Sequence, residues 1–178
     1  MAEDARWFVD RTATPLGELM IIADGAGALR GIDWSDQEER LMRLLQRQYG
    51  GTHPLLEPAR NPGGLTRALD AYFAGELAAI ERLPAATGGT PFQRKIWAAL
   101  RRIPCGMTLS YGALARQIGQ PAAVRAVGLA NGANPISIVV PCHRVIGGDG
   151  SLTGYGGGLP RKRWLLAHEG ARTADAAA

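Results

Sequence analysis

The stretch Pro135-Ile-Ser-Ile-Val-Val-Pro-Cys-His-Arg-Val-Ile-Gly147 is the part of the chain around which the rest can be read. Its β-branched run Ile138-Val139-Val140 predicts a short buried strand. Pro141 cannot donate to a sheet ladder and fixes its own φ, so the strand is expected to stop there and the chain to turn. Cys142, His143 and Arg144 follow at once. A thiol beside a base, at the rim of a rigid element, is where a nucleophile can be held without a mobile loop. For any single Cys-His pair the plainer reading is a buried, inert cysteine with an incidental histidine. Neighbours in extended chain also point to opposite faces, so a turn after Pro141 or a bridging water is needed to connect the two.

The sequence downstream favours chemistry. Gly147-Gly148-Asp149-Gly150 predicts a tight turn, and Thr153-Gly154-Tyr155-Gly156-Gly157-Gly158-Leu159 a closely approached pocket lip on which Tyr155 could stack a planar ligand. A last helix begins near Pro160, draws core contacts from Trp164, Leu165 and Leu166, and ends at Gly170. Glu169 stands in its last turn, where the helix dipole disfavours a carboxylate. Either it is an exposed residue paired to Arg161 or Lys162, or it orients a base. A thiolate needs a base and the base an orienter, and Cys142, His143 and Glu169 supply that set.

Upstream, Thr90-Pro91 marks a helix start with a core stripe of Phe92, Ile96, Trp97 and Leu100, stopped by Ile103-Pro104-Cys105-Gly106. Cys105 has no base near it in sequence and reads as structural. Ser110 to Gly132 reads as a helix-turn-helix: Ser110 caps a helix with Leu114 and Ile118 inward, Gly119-Gln120-Pro121 turns, and Ala122–Asn131 forms the second helix. That second helix is built of small residues around one long one, Arg125. It lacks the side chains that read major-groove base edges, but it could approach a groove closely and insert one arginine, which suits sequence-independent binding with DNA distortion. A packed helix pair with alanines at its interface remains the alternative.

Residues 6–34 predict a small antiparallel sheet, with strands from Trp7, over Leu16–Ala23 and over Ala28–Trp34. Ser35 with Glu38 suggests a capping box opening a helix of Leu41, Leu44 and Leu45. A proline-rich loop carrying His53 precedes a helix near 65–74, and Leu77–Thr90 reads as the connection to the second domain. The chain has 178 residues, a net charge of +4 and 46% hydrophobic content, enough for one medium domain or two small ones. The two cysteines lie far apart with no metal-type pair, which suits reduced thiols in a cytoplasmic setting. No apolar run reaches membrane-spanning length, and the first residues lack the layout of a signal peptide.

Pro141-Cys142-His143-Arg144-Val145 resembles the active-site motif of the O6-alkylguanine-DNA alkyltransferases, the bacterial methylated-DNA–protein-cysteine methyltransferases. The likeness extends over Thr90-Pro91-Phe92-Gln93, Ile103-Pro104-Cys105-Gly106, Ser110-Tyr111-Gly112, Ala130-Asn131-Gly132-Ala133-Asn134-Pro135, Thr153-Gly154-Tyr155 and Trp164–Gly170. It covers residues 90–170 in order, whereas the first half matches only in general plan. The resemblance implies a ribonuclease H-like α/β support domain over 1–85 and a mainly helical DNA-binding and alkyltransferase domain over 90–170, while the Ala-rich composition of 171–178 predicts a flexible tail. It implies irreversible transfer of an alkyl group from O6-alkylguanine, or O4-alkylthymine, in double-stranded DNA to Cys142. His143 would act through water as base and Glu169 would orient it. Tyr111 would protonate or hydrogen-bond the leaving guanine and help flip the base, Arg125 would fill the gap in the stack, and Asn134 would be a hinge. Ala123, Ala126 and Gly128 would line the DNA face with Tyr111 and Arg125. The carbonyl of Val145 and the backbone of Tyr155, Gly156 and Gly157 would read the guanine edge. No cofactor is implied, and the expected state is a monomer in solution, with cooperative assembly on DNA left open.

The chain departs from the family in two places. Gly156 stands where some relatives carry serine, and no cysteine precedes Cys105, so the N-terminal zinc site of some relatives is not expected. Three other activities fit less well. A lesion-binding relative without transfer carries a non-nucleophilic residue at the Cys142 position. A Cys-His hydrolase needs an oxyanion hole, and an alkylation-sensing regulator needs a further cysteine-bearing domain.

Overall fold

The computed structural model describes residues 6–51 and 54–172, and the chain divides after Gly89 into two compact units. His53 and the tail from residue 173 lie outside the described residues. The first unit holds strands β1 (Trp7–Thr14), β2 (Gly17–Asp24) and β3 (Leu29–Trp34), helix α1 (Glu38–Gln48), strand β4 (Leu56–Pro58) and helix α2 (Leu65–Phe73). Its sheet runs β3-β2-β1-β4. β2 pairs antiparallel with both neighbours, but β4 pairs parallel with β1, Trp7 opposite Leu56 and Val9 opposite Pro58. The sheet is therefore mixed rather than antiparallel. β4 is three residues long and ends in a proline at the sheet edge, so it carries no alternation to read.

β2 is buried from Leu19 to Asp24 because the sheet is covered on both faces. Met20 and Ile22 meet Trp7 and the α1 residues Leu41 and Leu45 in one cluster. The alternate residues Leu19, Ile21 and Ala23 face the other way, where α2 contacts β1 and β2 and buries Leu65, Leu69 and Tyr72. The expected Ser35 cap does not form. Ser35 opens a short 3-10 turn, and its hydroxyl donates to Glu18 and accepts from Arg11, so α1 begins at Glu38 without a side-chain cap. The connection belongs to this unit: Leu29 donates to the Pro84 carbonyl and accepts from Ala86, which adds the segment to the free edge of β3.

The second unit comprises α3 (Pro91–Arg101), β5 (Leu109–Ser110), α4 (Tyr111–Gln117), α5 (Val124–Gly132), β6 (Val145–Ile146) and α6 (Leu159–His168). Thr90 caps α3 with a full capping box, its hydroxyl accepting from Gln93 while the Gln93 side chain accepts from the Thr90 N–H. Ser110 caps α4, and Gly119 makes the turn with φ +77°. α5 begins at Val124, two residues later than expected. Trp97 in α3 donates to the Ala130 carbonyl of α5 at 2.9 Å, which fixes the helix pair. β5 and β6 pair in parallel, Leu109 with Val145 and Ser110 with Ile146, and so join the start of α4 to the segment after Cys142. Ala171 is buried with Ile146, Leu152 and Leu166, and its N–H donates to Leu166, so the expected tail does not begin there. No helix among the described residues is long and apolar enough to cross a membrane.

Candidate active site

Ile138-Val139-Val140 is not a strand. Ile138 has φ +73°, and the Val139 N–H donates to the Ser137 carbonyl at 2.8 Å across it, the rare positive-φ form of a three-residue turn. A second such turn of the relaxed hand follows at Pro141, φ −83° and ψ 67°, where the Cys142 N–H donates to the Val140 carbonyl at 2.8 Å. A β-branched residue at positive φ costs on the order of 1–3 kcal/mol and persists only where the surroundings impose it. Here Asn134 imposes it. Its amide donates to the Val140 carbonyl at 2.7 Å, and its carbonyl oxygen accepts the Ile136 N–H at 3.0 Å. Asn131, on the last turn of α5, donates to the Cys142 carbonyl at 3.4 Å. The run is apolar because it is buried, and it is bent where Asn134 takes the Val140 carbonyl, with Asn131 holding the Cys142 carbonyl just beyond it.

Cys142–Arg144 then form one 3-10 turn, whose side chains diverge by a third of a circle. The buried His143 directs Nε2 to Glu169 Oε1 at 2.8 Å. Arg144 grips the same carboxylate with Nε and Nη2, both at 2.9 Å, and donates Nη1 to the Ile103 carbonyl at 2.8 Å. Glu169 is the residue after α6 and is buried. It is thus buried rather than exposed, and its carboxylate is bonded by His143 and Arg144; the arginine beside the histidine offsets both burial and helix dipole. Burial alone would raise its pKa, but the hydrogen bonds and charges of His143 and Arg144 hold it at about 2. Burial lowers the pKa of His143, with Glu169 opposing and Arg144 and Lys162 adding to the fall, so the ring is neutral. An ionised carboxylate facing Nε2 fixes the proton there. Nδ1 is then the lone-pair nitrogen, and it has no protein partner.

Lys162, fully buried on α6, completes the site. Its ammonium donates to the carbonyls of Val145 at 2.6 Å, Thr153 at 2.8 Å and Gly154 at 3.4 Å. Burial pushes its pKa down to about 8, with Cys142 opposing. The Tyr111 hydroxyl donates to the same Thr153 carbonyl at 3.4 Å, so Lys162 ties together Val145, the lip and Tyr111. Gly158 closes a turn onto the Tyr155 carbonyl, and a Cβ on Gly157 would lie 3.1 Å from the Tyr155 ring. A Cβ on Gly128 would lie 3.9 Å from the Tyr111 ring, which sets α5 beside that tyrosine. Arg125 and Ala126 are exposed and Ala123 is half-buried. Gly156 is half-buried. Cys105 is half-buried, and neither cysteine forms a disulfide. Among the described residues no three His, Cys, Asp or Glu side chains come together as a metal site.

The sequence reading missed Arg144 and Lys162 as partners. A signal was present: Lys162, Leu165, Leu166 and Glu169 recur at i, i+3, i+4 and i+7, so both charges stand on the buried stripe of α6. Trp164 falls off that stripe, and it stacks on His168 at 4.6 Å instead of entering the core.

A helix-turn-helix unit that holds a buried Cys-His-Glu set defines a class: proteins that bring a nucleophilic thiol to DNA. A family model described as the DNA binding domain of 6-O-methylguanine DNA methyltransferase matches residues 91–171, and one described as the ribonuclease-like domain of the same protein matches residues 10–87. The methylated-DNA–protein-cysteine methyltransferase of Shigella flexneri is 55% identical over 165 residues, 93% of this chain and 96% of its own length. The crystal structure of Mycobacterium tuberculosis OGT in complex with DNA is 42% identical with a TM-score of 0.76, over 91% of this chain and 92% of that one. The O6-methylguanine-DNA methyltransferase of Pyrococcus kodakaraensis is 28% identical with a TM-score of 0.70, over 93% of this chain and 99% of that one. The chain belongs to the 6-O-methylguanine DNA methyltransferase family.

Proposed function

We propose that this protein repairs double-stranded DNA by direct reversal, taking the alkyl group of O6-alkylguanine, or of O4-alkylthymine, onto Sγ of Cys142 once per molecule. The observation that carries the reading is the buried His143–Glu169 bond at 2.8 Å, braced by Arg144 next to Cys142. The thiol proton passes through water to the free Nδ1 of His143, and Glu169 stabilises the imidazolium that forms. The Sγ–carbon bond forms as the carbon–O6 bond breaks, and the electron pair leaves on guanine. The Tyr111 hydroxyl supplies or shares the proton that neutralises the leaving base. The thioether is a poor leaving group and the sequence places no second cysteine beside Cys142, so the protein acts once.

Before transfer the lesion must leave the duplex. α5 lies in the minor groove with Ala123, Ala126 and Gly128 against DNA, Arg125 fills the vacated stack, and Tyr111 turns the flanking phosphate. Asn134 is the hinge between α5 and the nucleophile's turn. The carbonyl of Val145, which keeps a lone pair beyond its bond to Lys162, reads the guanine edge with the backbone of Tyr155, Gly156 and Gly157. Residues 90–170 form the DNA-binding and transfer domain, and residues 1–85 support it. The protein works in the cytoplasm as a monomer in solution; two thiols outside any disulfide support the reducing compartment.

The test is to mix the protein with duplex DNA bearing one O6-methylguanine and take intact and peptide masses. One methyl on the Cys142 peptide, saturating at one per molecule, is expected. An unmodified Cys142 in a protein that binds the lesion would move the function to damage recognition.

A further inference from the structure

We propose that Leu129 is a DNA contact, an apolar side chain that seats on the sugar wall of the minor groove one turn beyond Arg125. The inference rests on the DNA reading above. α5 buries Val127, Ala130 and Asn131 and leaves Val124, Arg125, Ala126, Leu129 and Gly132 exposed. Arg125 and Leu129 stand four residues apart and therefore share one face, separated by about 6 Å along the axis. Leu129 is 72% exposed, against 40% for Val124 at the start of the helix, and the residues between Arg125 and Leu129 are alanine, valine and glycine, with the valine buried.

Single exposed leucines are ordinary on protein surfaces. Leu55, 89% exposed in the first unit, is one with no assigned partner. The setting of Leu129 is different. The small residues around it let the helix backbone come close to a groove, so Leu129 protrudes past them and cannot avoid whatever receives Arg125. α5 also carries no carboxylate that would repel phosphate. The minor-groove walls offer deoxyribose carbons, and apolar side chains there exclude water and support distortion of the duplex. Leu129 therefore sets the depth at which Arg125 enters and adds affinity that is independent of charge.

The experiment compares wild type, Leu129→Ala, Leu129→Met and the surface control Leu55→Ala. Each is assayed with an O6-methylguanine duplex and with free O6-benzylguanine, which needs no groove. Leu129→Ala should bind the duplex about ten-fold more weakly and lower the duplex-to-free-base rate ratio by a similar factor. The slope of affinity against salt should not change, because no phosphate contact is lost. Leu129→Met should recover duplex repair to within about two-fold, since volume and apolarity are kept. A ratio in Leu129→Ala equal to that of wild type and Leu55→Ala overturns the proposal. Equal slowing with both substrates also overturns it, because the residue would then act through the fold. If wild type takes no alkyl group from the duplex, the repair reading itself fails and this inference with it.

Discussion

Glu169→Gln tests whether one carboxylate holds the site together. Its oxygens accept from His143 Nε2 at 2.8 Å and from Arg144 Nε and Nη2 at 2.9 Å, all buried. In the folded protein its pKa is about 2, against 4.5 for an ordinary glutamate. A carboxylate with a depressed folded-state pKa contributes stability that is fully present above its unfolded value and lost as pH falls towards the folded one. At roughly 1.4 kcal/mol per pH unit, the fall from 4.5 to about 2 is worth roughly 3 kcal/mol at pH 7. Near pH 3 the folded carboxylate is still mostly ionised while the unfolded one is protonated, which leaves roughly 1.5 kcal/mol. An independent route gives the same size: removing one partner of a buried ion pair costs about 3–5 kcal/mol, and Arg144 would lose the carboxylate charge that Nε and Nη2 grip. Urea unfolding of wild type and Glu169→Gln at pH 7 and near pH 3 measures it, with groups common to both proteins cancelling in the difference. The expected gap is about 3 kcal/mol at pH 7, roughly halved near pH 3. A gap under about 1 kcal/mol at pH 7, or one of equal size at both, refutes the reasoning.

Other changes probe the remaining supports. Lys162→Gln strips three carbonyls of their buried donor; it should cost about 2–4 kcal/mol and slow transfer from duplex and free base alike, as melting and single-turnover rates will report. Asn134→Ala releases the Val140 carbonyl and the Ile136 N–H, at about 2–3 kcal/mol in denaturant titration, with duplex repair falling further than binding. Gly106→Ala meets a φ of +85° and places its Cβ 3.0 Å from the Glu169 carbonyl oxygen; a loss of about 1–3 kcal/mol and slower transfer are expected, and wild-type values for both would remove Gly106 as a support of Glu169. Gly156→Ser should lower the ratio of benzyl to methyl repair rates by narrowing the lip, and an unchanged ratio would show that the lip does not select the alkyl group.

The elements legible in the sequence are those whose signal is local. Thr90-Pro91 and Ser110 carry their capping chemistry within three residues, and α1 and α2 show their buried faces as leucines at helical spacing. What failed to show depends on partners far along the chain. Ile138-Val139-Val140 has strand composition, yet it is forced into consecutive tight turns by a side chain at Asn134 and held below by Asn131 on α5. Ser35 has the sequence of a cap, but Arg11 and Glu18 across the sheet take its hydroxyl. β4 exists only because β1 offers it a free edge, with Ala59 donating to the Val9 carbonyl beyond its last residue.

The nucleophile's surroundings follow the same division, and the part hidden from sequence explains the part that was visible. Cys142 and His143 are adjacent in the chain, but a 3-10 turn sends their side chains apart, so adjacency is not what couples them. The coupling comes from Glu169, 26 residues on, which fixes the proton on Nε2 and leaves Nδ1 as the only basic nitrogen. Glu169 can stay ionised at the end of α6, against burial and dipole, only because Arg144 forks onto it from the residue next to His143. Arg144 is in turn anchored on the carbonyl of Ile103, in the connection that follows α3. One carboxylate is thus shared by a neutral base and a permanent cation, and exchange of Arg144 for lysine would keep the charge but not the fork. The ring orientation of His143, rather than the presence of the histidine, is what the Cys-His-Arg order in this chain secures.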